Sequence, residues 1–356
     1  MIHKKIRYNK EYLLKAFNHS ADFVAYEFET LSKVKMMACY IEGIIDKNMF
    51  DRDILRYLIL NVEKPEDTKK YILSSNINEI YDIDESIDAI VRGKVVLFVE
   101  GLKKGYTVEL SKWDKRSVEQ PQSEAVVRGP KEGFIEDIAV NKVLLRRRVR
   151  NNNLVFEDFY LGKQTRTNVS LAYIRGIVNE DVLKELKERL SRIDVDSILE
   201  SEYIEEFIED SPWSLISTIS ETEKPDITAA KLLEGRIAIL TDGTPHVLIV
   251  PRILSEGLMS SEDYYVKPHL GSFLRIMRIV SLFITIYLPG VFVSLMLYHQ
   301  EMIPTVLLIS AAGGRAGVPL PITVEVILMI VTLELTKEST LRLPKNVGTT
   351  VNIVGA

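Results

Sequence analysis

Cysteine is almost missing from this chain. Cys39 is its only one, which excludes a disulfide framework and a thiolate metal cluster. Histidine is scarce too: the five, at 3, 19, 246, 269 and 299, are scattered and form no ligand set. His246, after Pro245, reads as a filler of a strand turn. No Ser-His-Asp, HExxH or Cys-His constellation occurs, and neither a Walker pattern nor GxGxxG is found. No enzyme and no cofactor are therefore expected. The opening MIHKKIRYNK has no apolar h-region and so does not read as a secretory signal. Long uncharged stretches are missing as well, with one exception, and that exception organises the rest.

Ile279–Tyr298 (IVSLFITIYLPGVFVSLMLY) runs for 20 residues without a formal charge. A helix of that length crosses the hydrocarbon of a bilayer at about 1.5 Å per residue. Pro289-Gly290 falls near its middle, a pair that marks a hinge or pore lining where neighbours satisfy the freed carbonyls. Beyond it, 303–314 and 322–335 are two shorter apolar pieces separated by RAGVPLP, and Glu325 and Glu334 sit in the second. The spacing predicts a broken or re-entrant element over about 303–335, with Glu325 facing a bundle interior or an aqueous path. An interfacial helix with both glutamates in water is the competing reading. Pro289, Gly290, Glu325 and Glu334 are the candidate pore or coupling residues. No ligand-binding or metal-ligating residue stands out.

Charge divides the chain in the same place. The whole carries a formal charge of −5, of which residues 273–356 contribute +2 and residues 1–272 contribute −7. A charged, water-compatible front joined to an apolar tail points to a membrane protein with a large soluble portion. It does not point to nucleic-acid binding. Lys337, Arg342 and Lys345 follow the apolar tail, and the positive-inside bias places the front on the cytoplasmic side. Tyr264 and Tyr265, on the approach to the apolar stretch, suit the headgroup level.

Within the front, ACYIEGIIDKNM (38–49) aligns with LAYIRGIVNEDV (171–182), and VVLFVEG (95–101) aligns with IAILTDG (237–243). The offsets are 133 and 142 residues, so order is kept although spacing is not strict. The inference is an α/β region of two related subdomains, each a short sheet covered by helices. Residues 66–92 read as a polar helix, 94–101 and 106–110 as strands, and 179–209 as amphipathic helices with a Leu183, Leu186, Leu190 stripe. After these come a helix from Pro225 capped by Thr222 and a hairpin turning at Thr241-Asp242-Gly243. The expected boundaries are 1–140, 141–272 and 273–356. The last is a partial transmembrane helical domain with a span at about 279–298.

Between the repeats, 113–154 holds acidic positions including Glu119 and Glu124, a Gly129-Pro130-Lys131-Glu132-Gly133 turn, and the basic run Lys142, Arg146, Arg147, Arg148, Arg150. A phosphate site at the glycine turn, nucleic-acid contact by the arginines, and a solvated helix face paired with nearby acids are the three readings.

The motifs SADFV, YIEGIID, LFVEG and KWDKRSVEQPQSEAVVRGPKEGFIEDIAVNKVLLRRR resemble those of the A subunits of GerA-type nutrient germinant receptors of spore-forming bacteria. So do LGKQTRTNVSLAYIRGI, TEKPDITAAKLLEGRIAILTDGTPHVLIVP, LPGVFVSLMLYHQEMIPT and GVPLP. The resemblance covers nearly the whole chain. It implies a multi-pass protein of the spore inner membrane with a cytoplasmic N-terminal region of two α/β subdomains. It also implies work with B and C subunits and with lipid, assembly into a homo-oligomer, and a nutrient-gated ion channel that starts germination. Lys224 stands where the family pattern has Arg, and Lys337-Glu338-Ser339 where it has Arg-Glu-Ala. The family continues past IVGA with further spans, so a fragment is expected. The alternative is a cytosolic α/β nucleotide- or ligand-binding module tethered by one helix, with the Gly129–Gly133 turn as its site.

Overall fold

The structure is a computed structural model and describes residues 1–74, 76–110, 129–211, 213–214, 217–260, 263, 265–315 and 317–342. Glu119, Glu124, Pro212, Tyr264, Lys345 and the IVGA segment lie outside the described residues. Two compact units result, 1–265 and 266–356.

The first unit opens with α1 (Ile6–Ala16), β1 (Phe23–Glu29) and β2 (Lys35–Ile41). A helical run follows, made of α2 (Lys47–Met49), a π-helical stretch Phe50–Leu55 and α3 (Arg56–Asn61). After it come β3 (Ile77–Ile80), α4 (Ile83–Val91), β4 (Lys94–Val99) and β5 (Gly105–Glu109). The five strands form one antiparallel sheet in the order β1-β2-β4-β5-β3. β2 is apolar along its length because both its faces are covered. Met36, Ala38 and Tyr40 face Phe50, Ile54 and Leu58, while Met37, Cys39 and Ile41 face α1 and α4.

The second half repeats this plan. It runs α5 (Ile138–Arg148), β6 (Leu154–Leu161), β7 (Thr167–Ile174), α6 (Glu180–Arg192), α7 (Ser201–Ile208), β8 (Ser220–Thr222), α8 (Pro225–Leu233), β9 (Ile237–Thr241) and β10 (Val247–Val250). The strand order β6-β7-β9-β10-β8 matches the first sheet position for position. α5 and α8 cover one face, and α6 and α7 the other. Register is preserved as well: Cys39 pairs with Val96 in the first sheet, and Ala172 pairs with Ala238 in the second.

The repeat motif now has a physical account. Tyr40 and Tyr173 enter corresponding cores. Gly43 and Gly176 turn the chain out of the strand with φ of +81° and +86°, a region that disfavours a Cβ. The last position is a helix cap: Asp46 accepts from Met49 N at 3.0 Å, and Asn179 accepts from Asp181 N at 3.0 Å.

Three local expectations need correction. Residues 66–92 are not one polar helix: a 3₁₀ turn Pro65–Tyr71 and the edge strand β3 precede α4. An edge strand paired on one side needs little apolar surface, which hid it. Thr222 does not cap α8; it closes β8, and its Oγ1 accepts from Lys224 N at 3.1 Å. The helix from Ile322 runs on past the apolar piece 322–335, as far as Arg342.

The second unit contains α9 (Pro268–Leu297), α10 (Thr305–Arg315) and α11 (Ile322–Arg342). Among the described residues α9 alone is long and apolar enough to cross a membrane. It starts eleven residues before the predicted span and passes through Pro289 unbroken. α10 and α11 are separate helices; α11 has 21 residues and carries charges through its second half.

Candidate coupling site

Two polar clusters of the first unit and the carboxylates of the second bear on coupling. The first cluster joins the two sheets. Arg146 on α5 is buried, and its Nε and Nη2 donate to the two oxygens of Asp22 at 2.7 and 2.9 Å. Nη2 also donates to Ser20 Oγ at 3.1 Å, Nη1 donates to the Asn151 carbonyl at 2.9 Å, and the guanidinium lies 5.3 Å from the Phe156 ring. Main chain joins in: Ala21 N donates to Phe156 O at 2.9 Å, and Phe156 N donates to Ser20 Oγ at 2.9 Å. A planar fork on a carboxylate, with further bonds from Nη1 and Nη2, is the geometry that makes a buried ion pair tolerable.

The second cluster lies where the chain leaves the unit. The Tyr265 hydroxyl donates to Asp226 Oδ2 on the first turn of α8. The buried Lys224 ammonium stands 3.8 Å from the same oxygen. Gly129 passes under the ring: with φ +123°, a Cβ there would come within 2.9 Å of Tyr265 Cε2. Burial, reinforced by the Asp226 charge, pushes the Tyr265 phenol up to about 12, so it remains a donor at neutral pH. Tyr265 is thus fastened to α8 rather than standing free.

Three of the five basic residues of the run are paired internally. Lys142 pairs with Asp158 at 2.6 Å, Arg148 with Glu132 at 2.9 Å, and Arg146 with Asp22. The phosphate reading of the Gly129–Gly133 turn also fails on geometry. The turn does not open a helix: α5 begins at Ile138, where Asp137 accepts from Ala139 N at 2.8 Å and Asp242 accepts from Ile138 N at 3.3 Å. Two carboxylates already occupy the end that would receive an anion. His246 is more than filler, since its Nδ1 is 2.5 Å from Glu221 Oε1 and its Nε2 3.7 Å from Glu223 Oε1. Among the described residues no group of three or more His, Cys, Asp or Glu is arranged to hold a metal.

In the second unit Glu325, in the first turn of α11, pairs with Arg315 of α10 at 3.2 Å. Glu334 is exposed and pairs with Lys337 one turn on, at 3.0 Å. Gly290 has open space where a Cβ would stand. The structure therefore gives Glu325 a partner across the α10–α11 break and gives Glu334 a purely local one.

A sequence model of the Bacillus/Clostridium GerA spore germination protein matches residues 11–356. The chain belongs to the GerA spore germination family. Relatives by sequence include spore germination protein B1 of Bacillus subtilis (strain 168), 36% identical over an aligned length of 365 that covers 99% of this chain and 74% of that protein. Spore germination protein KA of the same organism is 38% identical over 330 residues, 91% of this chain and 60% of its own length. Among solved structures, the N-terminal domain of the A subunit of the Bacillus megaterium spore germinant receptor GerK3 is similar. It is 31% identical with a TM-score of 0.55, over 71% of this chain and 97% of that domain. The two-sheet unit therefore resembles the N-terminal domain of a germinant-receptor A subunit, and the clusters at Arg146 and Tyr265 lie within that unit of this chain.

Proposed function

We propose that this chain is the A subunit of a spore germinant receptor, and that it forms or gates a nutrient-responsive ion passage in the spore inner membrane. The observation that carries the reading is the extent of the family match, which runs through both units. In this reading α9 spans the bilayer, its 30 residues exceeding the about 20 that the hydrocarbon needs. Further spans make the protein multi-pass, the two-sheet unit faces the cytoplasm, and copies of the chain assemble with one another and with B and C subunits. It acts without catalysis. Residues 1–140 and 141–272 act as two α/β halves that couple nutrient arrival to the membrane helices of 273–356.

Within that part, Pro289 and Gly290 supply the yielding point of α9, because the proline leaves a carbonyl without its helical donor. Glu325 and Glu334 line or flank the path, with Arg315 neutralising Glu325 in the resting state. The test is nutrient-triggered ion release from spores carrying Glu325→Gln at wild-type protein level. The expected result is an altered rate of release. Unchanged flux removes Glu325 from the path.

A further inference from the structure

The Tyr265 clasp leaves two polar atoms over. Asp226 offers Oδ2 to the Tyr265 hydroxyl and to the Lys224 ammonium, yet its Oδ1 is buried and has no hydrogen-bond partner among the described residues. The complementary group stands on the neighbouring helix. Arg148, the last residue of α5, donates from Nη2 to Glu132 at 2.9 Å, but its Nε is buried and likewise without a partner among the described residues. α5 and α8 pack together on one face of the second sheet. Both charges reach the same phenol: after burial, Asp226 pushes the Tyr265 value up, and Arg148 opposes it. A buried acceptor without a donor and a buried donor without an acceptor each forfeit hydration that a bond between them would offset.

The bonds now in place are easily given up. The Glu132 carboxylate is 45% exposed, so water screens its pair with Arg148. Tyr265 itself is 40% exposed, and its ring lies over Gly129, where the absent side chain leaves it room. Asp226 is different: its side chain is 8% exposed, and it needs a partner in whatever position the chain takes. Location gives the contact its consequence. Tyr265 closes the first unit, Val266 opens the second, and α9 begins at Pro268, three residues on.

We propose that Tyr265 is a releasable latch on the entry to α9, and that when it lets go the Asp226 carboxylate passes to Arg148. The swap keeps Asp226 bonded in both positions, so the latch has two settled states rather than one state and a rupture. It rests on the reading that residues 1–272 act on the membrane helices, and deepens it by naming the contact that moves.

Hydrogen–deuterium exchange on the full chain in nanodiscs reads the latch at residues 265–271, while protection in β7 and β9 confirms that each variant is folded. Tyr265→Phe removes the hydroxyl bond and should speed exchange over 265–271 about fivefold; no change overturns the proposal. Arg148→Gln gives the decisive sign. It takes away the partner that stabilises the released state, so exchange should slow about fivefold. A static brace would instead lose a support, and quickened or unchanged exchange overturns the swap. Asp226→Asn removes the charge that both partners seek. On that background the Arg148→Gln effect should vanish, and its persistence overturns the swap as well. Spores separate the latch from the ion-passage reading: nutrient-triggered ion release should start earlier with Tyr265→Phe and later with Arg148→Gln. Shifted exchange with unchanged release upholds the latch and counts against the passage.

Discussion

Arg146 Nε and Asp22 Oδ2 lie 2.7 Å apart, one from each sheet's layer, with side chains 1% and 5% exposed. Removing one member of such a pair leaves a desolvated charge, at a cost of about 3–5 kcal/mol. Arg146→Met is expected to lower the urea midpoint accordingly. Arg146→Met combined with Asp22→Leu should recover most of the loss, since the pair is then replaced by apolar volume. Equal losses in the single and double variants would show that shape, not charge, holds the joint.

The paired turn glycines allow a controlled comparison. Gly43 and Gly176 share a positive φ, so alanine at either bears the backbone cost of about 1–2 kcal/mol. At Gly176 nothing lies within 4 Å of the new Cβ, whereas at Gly43 it would come within 2.6 Å of Val143 Cγ2 on α5. Gly43→Ala should therefore destabilise more than Gly176→Ala in thermal unfolding.

Tyr265 gives a prediction at alkaline pH. Its folded value is raised to about 12, first by burial and then by Asp226. A raised value means that the stabilisation is complete below the unfolded phenol value of about 10 and disappears as pH climbs through about 12. Tyr265→Phe should cost about 1 kcal/mol at neutral pH. It should also remove one late-titrating phenol from the 295 nm absorbance titration.

Glu256 gives the acid counterpart. Burial pushes its carboxyl up, but Lys231 at 2.8 Å and Arg236 outweigh burial and hold it below its usual range. A lowered value means stabilisation present above the unfolded carboxyl value of about 4.5 and lost as pH falls below it. Glu256→Gln should melt earlier than wild type at pH 7, and the gap should close on acidification.

Much of the architecture was legible because the repeat recurs at positions where chemistry leaves few alternatives. A glycine at positive φ followed by an Asx cap, and an apolar strand ending in Gly, recur in the same register in both sheets. Strands covered on both faces also announced themselves as continuous apolar runs. β3 did not, because an edge strand of Ile77-Asn78-Glu79-Ile80 borders no second partner. α5 was misleading for a different reason. It shows no apolar stripe, since Asn141 and Arg146 point inward with Leu144 and Leu145. Three consecutive arginines on a helix cannot share one face, and that periodicity was the available signal that one of them turns inward. That its partner is Asp22, 124 residues earlier, is a tertiary fact no local pattern encodes. The Tyr265 clasp is likewise built from three distant segments.

The shared backbone contact between Ala21 and Phe156 carries a thermodynamic corollary. Neither half can open without stripping polar groups of the other, so the two sheets should melt in one step. Calorimetry of the soluble unit should show a single peak, with van't Hoff and calorimetric enthalpies in agreement.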